Sequence, residues 1–369
     1  MMSGFEMGSA ERGEPVRPPA VAGSWYPDAE APLRAAVTSH LAAVSDTDTD
    51  TPFRDIVAII APHAGLVYSG PVAAHAYQAV AGRAYDVAVL VGPSHHVGFD
   101  GVAIYPRGAF DTPLGPVPVA AGVADQLMRA PCIRTHPTAH VREHSLEMQL
   151  PFLRHVLPDT PIVPLVIGSQ ERETILALAE ALAGTLAGLT PLIVASTDLS
   201  HYFDADRAAS FDGVVIDYVA RFDPDGLLAE YERYPAHERG RCVACGGGAA
   251  VAVMKAAATL GAREARALCY ADSGDVSGDK TAVVGYLAAA LGRFEPQARR
   301  SQESEVRSHA EPARTTGVAA PRASGDCRQT RGASGCAACG GWRAGPTDRR
   351  FRHHPTQQPA PRLSRVGRR

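Results

Sequence analysis

The stretch 87-VAVLVGPSHHVGFDG-101 decides how this chain is read. A run of small apolar residues, Val87 to Val91, ends in Gly92-Pro93-Ser94 and then in two adjacent histidines, His95 and His96. Apolar residues without polar alternation mark a strand buried on both faces, as in a parallel sheet. The pattern recurs at 55-DIVAIIAPH-63, 161-PIVPLVIGS-169 and 191-PLIVASTDLSH-201. Helical stretches separate these runs: 71-PVAAHAYQAVAG-82, with Pro71 suited to a first helical position, and residues 171–189. Strands alternating with helices predict a single α/β domain whose largely parallel sheet is flanked by helices.

This domain is expected to span residues 18–296, since no linker-like break interrupts it. Residues 1–17 read as a flexible leader. Residues 297–369 hold only five Leu, Ile, Val or Phe among 73 residues and are rich in Arg, Pro, Ser and Gly. Such a segment buries too little apolar surface to offset its ordering entropy and reads as a disordered tail. Its 336-CAAC-339 and 353-HH-354 groups are taken as chance, because no second ligand pair has finger spacing.

Charge is unevenly divided. The tail carries 15 arginines against 5 acidic residues, leaving 21 basic against 34 acidic residues for 1–296. An acidic core argues against nucleic-acid binding. The seven irregularly spaced cysteines do not form a secreted disulfide framework. The N-terminal residues are charged where a signal peptide would be apolar, and no run is long enough to span a membrane. The expectation is a cytoplasmic protein.

In an open parallel sheet, ligands bind beyond the carboxyl ends of the strands. Four runs end there in polar groups: His63, His95 with His96, Gly168-Ser169, and Asp198 with His201. The right-handed crossover rule puts His63 and His95 on one sheet edge. Imidazoles converging from rigid strand ends suit Fe, Cu, Ni or Zn. A metal needs a further ligand, and Asp198, His201, Glu143, His144 and Cys245 are the candidates. Each also has a bland reading. Asp198 could cap a helix starting near Leu199, and 141-VREHSLEMQLPFL-153 could be an amphipathic helix with Leu146, Leu150 and Leu153 inward. Cys242 and Cys245 form a C-x-x-C without the strand and helix-start context of a redox dithiol.

The motifs 22-AGSWYP-27, 61-APHAGLVYSG-70, 92-GPSHH-96, 112-TPLG-115, 143-EHSLEMQLPFL-153, 164-PLVIG-168, 196-STDLSHY-202 and 245-CGGGAAV-251 run in order through the domain. In this set the chain resembles the Memo family, also called AmmeMemoRadiSam system protein B. The resemblance implies a fold related to the LigB-like class III extradiol dioxygenases. It also implies a pocket with His63, His95 and Cys245 as metal ligands. Asp198 and His201 would lie beside it as acid/base groups, with His144 lining it. The relation to nonheme iron enzymes implies iron, and a thiolate in place of a carboxylate softens the site toward copper or zinc, so the implied cofactor is iron or copper, with zinc as a further candidate. Implied partners are radical-SAM and AMMECR-type proteins of the same system, with an unidentified small-molecule or peptide ligand.

Three functions remain open on this reading: a redox or oxygenase-like enzyme, a non-catalytic peptide- or metal-binding module, and a zinc hydrolase. Gly247 and Gly248 stand where the family commonly has a larger or polar residue. That predicts a more open wall near Cys245.

Overall fold

A computed structural model describes residues 15–44 and 53–294. The expectations for residues 1–14, for the tail and for its Cys336/Cys339 and His353/His354 groups lie outside the described residues.

In chain order the strands are β1 (Val16–Arg17), β2 (Phe53–Ala61), β3 (Val87–Pro93), β4 (Val102–Ile104), β5 (Ala109–Phe110) and β6 (Val117–Pro118). They continue with β7 (Ile133–Thr135), β8 (Ile162–Ile167), β9 (Pro191–Ser196), β10 (His201–Phe203), β11 (Glu264–Asp272) and β12 (Val283–Phe294). The main sheet has the order β10-β12-β2-β9-β3-β8-β4-β7, with β11 also paired to β12. Its centre, β2-β9-β3-β8, is parallel throughout. On one side β12 runs antiparallel to β2, β10 and β11; on the other, β4 runs antiparallel to β8. The sheet is therefore mixed and largely parallel at the centre.

Alternate residues of each central strand serve opposite cores, as a pleat requires. Ala58, Ile60, Val87, Val89 and Val91 face one core with helices Arg172–Leu186 and Gly247–Thr259. Ile59, Ala61, Ala88 and Leu90 face the other with helices Glu30–Ala42 and Leu66–Val80. Because both faces are covered, the strands carry no polar alternation.

Two boundaries differ from the sequence reading. The helix expected to open at Pro71 starts at Leu66, with Pro71 inside it. Proline donates no bond to the carbonyl four residues back, that of Val67, and Val67 is exposed, where water can serve that group. Residues 16–17, read as leader, belong to the domain. β1 pairs with β5, and Arg17 is buried against the Glu147 carboxylate at 2.5 Å. Arg17 also donates to the carbonyls of His140 and Glu143. Glu147 accepts in addition from the backbone N–H groups of Ala20 and Val21 and from the Tyr26 hydroxyl.

Among the described residues no single helix is long and apolar enough to cross a membrane. One pair, Ala236–Cys242 and Gly247–Thr259, passes such a test together but bends by 78°. Its second helix is packed into the core.

Two measurements test this packing. Arg17→Ala strands a buried carboxylate and is expected to lower stability by about 3–5 kcal/mol in thermal or denaturant unfolding. Asp212 is fully buried, accepts from Ser200 N–H and Tyr270 O–H, and also feels the charge of Asp272. Burial raises its pKa to about 6. The folded state then binds the proton more tightly than the unfolded chain, so this stabilising contribution is intact below the usual carboxylate range and lost as pH rises through 6. The unfolding free energy at pH 4 minus that at pH 7 is expected to be more positive in the wild type than in Asp212→Asn, by roughly 2–3 kcal/mol.

Candidate metal centre

His63 follows the end of β2, and His95 follows the end of β3, with β9 between these strands. Their rings approach across the end of β9 to 5.2 Å between centroids. His144 joins them from the turn before helix Leu150–Val156, stacked on His95 at 4.4 Å and edge-on to His63 at 5.7 Å. Ligand nitrogens of His63, His95 and His144 all lie within 4.8 Å of one another, so this group could hold a metal ion. Cys245 arrives just before helix Gly247–Thr259 and places Sγ 3.3 Å from His63 Nε2. Its thiol also interacts with the His95 side chain. Three histidines and one cysteine thus converge from four separate chain segments.

Each of the strand-end rings is gripped on its far side. His95 Nδ1 lies 2.8 Å from Glu143 Oε1, and the His95 N–H donates to Glu143 Oε2 at 2.6 Å. Glu143 accepts two more bonds, from the N–H groups of His144 and Ser145. The motif 143-EHS-145 therefore wraps its own turn around a carboxylate aimed at His95. His63 Nδ1 meets Ser196 Oγ at 2.9 Å, and its backbone N–H donates to Asp198 Oδ1 at 2.7 Å.

The electrostatics follow from these contacts. Burial opposes charge on Glu143, but His95 outweighs it and holds the carboxyl well below its usual range. Burial likewise opposes charge on His95, and its bonds to Cys245 and Glu143 lift it to about 10. For Cys245, burial favours the neutral thiol, yet the nearby His63 and the hydrogen bonds to both strand-end histidines bring it down to about 6. His144 is pushed down by burial and then by the charges of His63 and His95. It is a neutral donor.

Asp198 and His201 lie beside the pocket in different settings. Asp198 is buried and caps no helix; residues 197–200 link β9 to β10. Burial raises its pKa, and its carboxylate serves the backbone at His63 and Ala64. The His201 ring is lowered by burial, against the pull of Asp198 and of backbone groups at Leu199 and Gly240. Its Nδ1 lacks a well-aligned partner. His96 is exposed, with its ring 5.8 Å from that of His144. Cys242 is a free thiol bonded toward Glu238, turned to a different partner from Cys245.

The expected opening beside Cys245 is not there. A Cβ on Gly247 would stand 2.5 Å from the Tyr231 ring, and one on Gly248 would stand 2.8 Å from Gln170 Oε1. Neighbouring side chains fill the space that the glycines vacate. Gln170 closes the wall by donating to the Cys245 carbonyl at 2.7 Å and accepting from Gly248 N–H at 2.9 Å.

Several participants carry no local signature. Ser196 and Gln149 act through contacts with residues tens of positions away, and although both stand in quoted motifs, no role is assigned to either. Trp25, whose ring lies 4.3 Å from that of His144, stands in the quoted 22-AGSWYP-27 motif without a role assigned to it. Glu143 appears in the sequence as a candidate ligand and emerges as the group that holds His95. Glu143→Gln keeps the shape but removes the charge, and is expected to weaken Zn(II) or Co(II) binding by roughly 10–100-fold in a competition titration.

The family model described as Memo-like protein matches residues 17–290. A MEMO1 family protein of Methanothermobacter thermautotrophicus is 36% identical over 278 residues, covering 73% of this chain and 98% of the relative. One from Methanosarcina mazei is 37% identical over 276 residues, covering 74% and 98%. Another, from Thermotoga petrophila, is 36% identical over 292 residues, covering 74% and 99%. A solved structure of an uncharacterized Escherichia coli K12 protein covers 64% of this chain and 100% of its own at 15% identity and a TM-score of 0.46, too distant to add weight. On the extent of the family match and the identity to these relatives, the chain belongs to the Memo-like family.

Proposed function

We propose that this chain is a redox or oxygenase-like protein built on a nonheme metal pocket, with His63, His95 and Cys245 as ligands. The approach of Cys245 to both strand-end histidines, whose rings face each other at 5.2 Å, carries the reading. Two imidazoles and one thiolate leave coordination positions open, and the thiolate favours iron or copper over harder ions. Such a metal would supply one-electron chemistry with dioxygen. The chain's own residues bind, orient and shield. Glu143 aims the His95 ring, and Trp25 with His144 walls the pocket on one side. His201, under the charge of Asp198, is the group for moving a proton at the pocket edge. The proposal extends to a cytoplasmic setting and to radical-SAM and AMMECR-type partners.

A second reading draws on the mutual approach of three imidazoles. His63, His95 and His144 make a three-histidine set of the kind that holds catalytic zinc with one position open to water. That arrangement suits a hydrolase, with Cys245 outside the ligand set.

Anaerobic purification followed by metal analysis separates these readings. The first expects iron or copper at up to one equivalent, lost in His63→Ala and Cys245→Ser and retained in His144→Ala, with oxygen uptake on adding catechol-type compounds. The second expects zinc lost in His144→Ala but kept in Cys245→Ser, with esterase or amidase activity. Equal metal content in the wild type and all three variants would sink both. A tightly held metal without either activity would instead indicate a binding module.

A further inference from the structure

Beyond the ligands, the structure assigns a positioning role to Ser196: its hydroxyl, oriented by Gln149 and Ser145, fixes His63 in the Nδ1–H tautomer and leaves Nε2 bare toward the pocket. The assignment follows from counting protons. A carbonyl oxygen can only accept, so the 2.6 Å contact between Ser196 Oγ and the Ser145 carbonyl uses the hydroxyl's single proton. Ser196 is then an acceptor toward its other neighbours.

The first of these is Gln149, and its amide has one tenable orientation. Nε2 lies 3.1 Å from the Pro62 carbonyl and 2.7 Å from Ser196 Oγ, while Oε1 accepts from the Tyr77 hydroxyl at 2.9 Å. The flipped amide would set Oε1 against the Pro62 carbonyl, two acceptors face to face in a site that is fully buried. Gln149 therefore donates to Ser196.

The second neighbour is His63. With the serine proton committed elsewhere, the 2.9 Å contact from Ser196 Oγ to His63 Nδ1 is a hydrogen bond only if Nδ1 carries the hydrogen. The neutral ring then has its lone pair on Nε2, where it accepts from the Cys245 thiol, whose Sγ is 3.3 Å away. Ser196, Ser145 and Gln149 are all fully buried, so water cannot take over any of these bonds. The chain from Tyr77 through Gln149 and Ser196 to His63 runs from the core between sheet and helix out to the pocket. It does for His63 what Glu143 does for His95, with a neutral acceptor in place of a carboxylate.

The consequence for metal binding rests on the pocket reading above, whereas the tautomer can be measured without metal. Long-range ¹H–¹⁵N correlation spectra of the metal-free full chain, recorded where the ring is neutral, are expected to show His63 protonated at Nδ1 and bare at Nε2. The opposite tautomer, or a mixture of the two, would overturn the assignment. In Ser196→Ala the fixed tautomer is expected to disappear and Co(II) affinity to fall roughly 10–100-fold. Ser196→Thr retains the hydroxyl and should restore both. Unchanged tautomer and affinity in Ser196→Ala would also overturn it. A wild-type chain that binds no Co(II) would defeat the pocket reading alone, since the spectra still decide the tautomer.

Discussion

Everything at the pocket depends on the parallel pairing of β2, β9 and β3. Their registers align Ala61 with Ser196 and Val91 with Ala195, so three strands end within a residue or two of one another. Neighbouring strands stand about 4.8 Å apart, which puts β2 and β3 roughly 10 Å from each other across β9. Rings reaching inward from His63 and His95 close that gap, and the middle strand contributes Ser196, Thr197 and Asp198 beneath them. A histidine pair placed this way is held by a ladder of backbone hydrogen bonds, a much stiffer support than a surface loop.

Trp25, Glu143 and His144 are brought in by a buried polar clamp. Arg17 and Glu147 pair in the interior, and their other bonds go to backbone groups of Ala20, Val21, His140 and Glu143 and to the Tyr26 hydroxyl. A buried pair of this kind contributes little net stability, because desolvating two charges offsets their attraction. Its effect is geometric. It ties the segment carrying Trp25 to the turn carrying Glu143 and His144, and those three side chains reach the pocket together.

How much of this was legible in the sequence varies with the kind of interaction. The central strands were readable because burial on both faces leaves a continuous apolar run, and strand ends are where an α/β sheet displays polar groups. The antiparallel side was not: 286-YLAAALG-292 of β12 is rich in alanine, a residue with weak strand preference, and its pairing is decided by contacts with β2 and β11. His63 and His95 were visible as strand-end residues, whereas the choice of Cys245 and the grouping with His144 came from family resemblance. Ser196 and Gln149 were invisible as a pair, 47 positions apart, because a hydrogen-bond relay leaves no spacing to recognise. The supposed opening at Gly247 and Gly248 failed for a related reason. An absent side chain says nothing about which neighbour fills its place.

The two gripping groups differ in charge, and that difference shapes what the pocket can hold. His63 leans on a neutral hydroxyl, so its Nε2 is an ordinary imidazole donor. His95 leans on a carboxylate that stays ionised despite burial, which raises its basicity. Cys245, drawn down by its two histidine neighbours, adds a second negative charge. Asp198 is pushed by burial toward its neutral form and spends its acceptor capacity on backbone N–H groups. The pocket therefore gathers the Glu143 carboxylate and, when ionised, the Cys245 thiolate beside a protonated His95 and a neutral His144. The proton held by His95 balances the Glu143 charge, consistent with the upward shift of His95. A divalent metal would displace the His95 proton and face the Glu143 carboxylate and the Cys245 thiolate together.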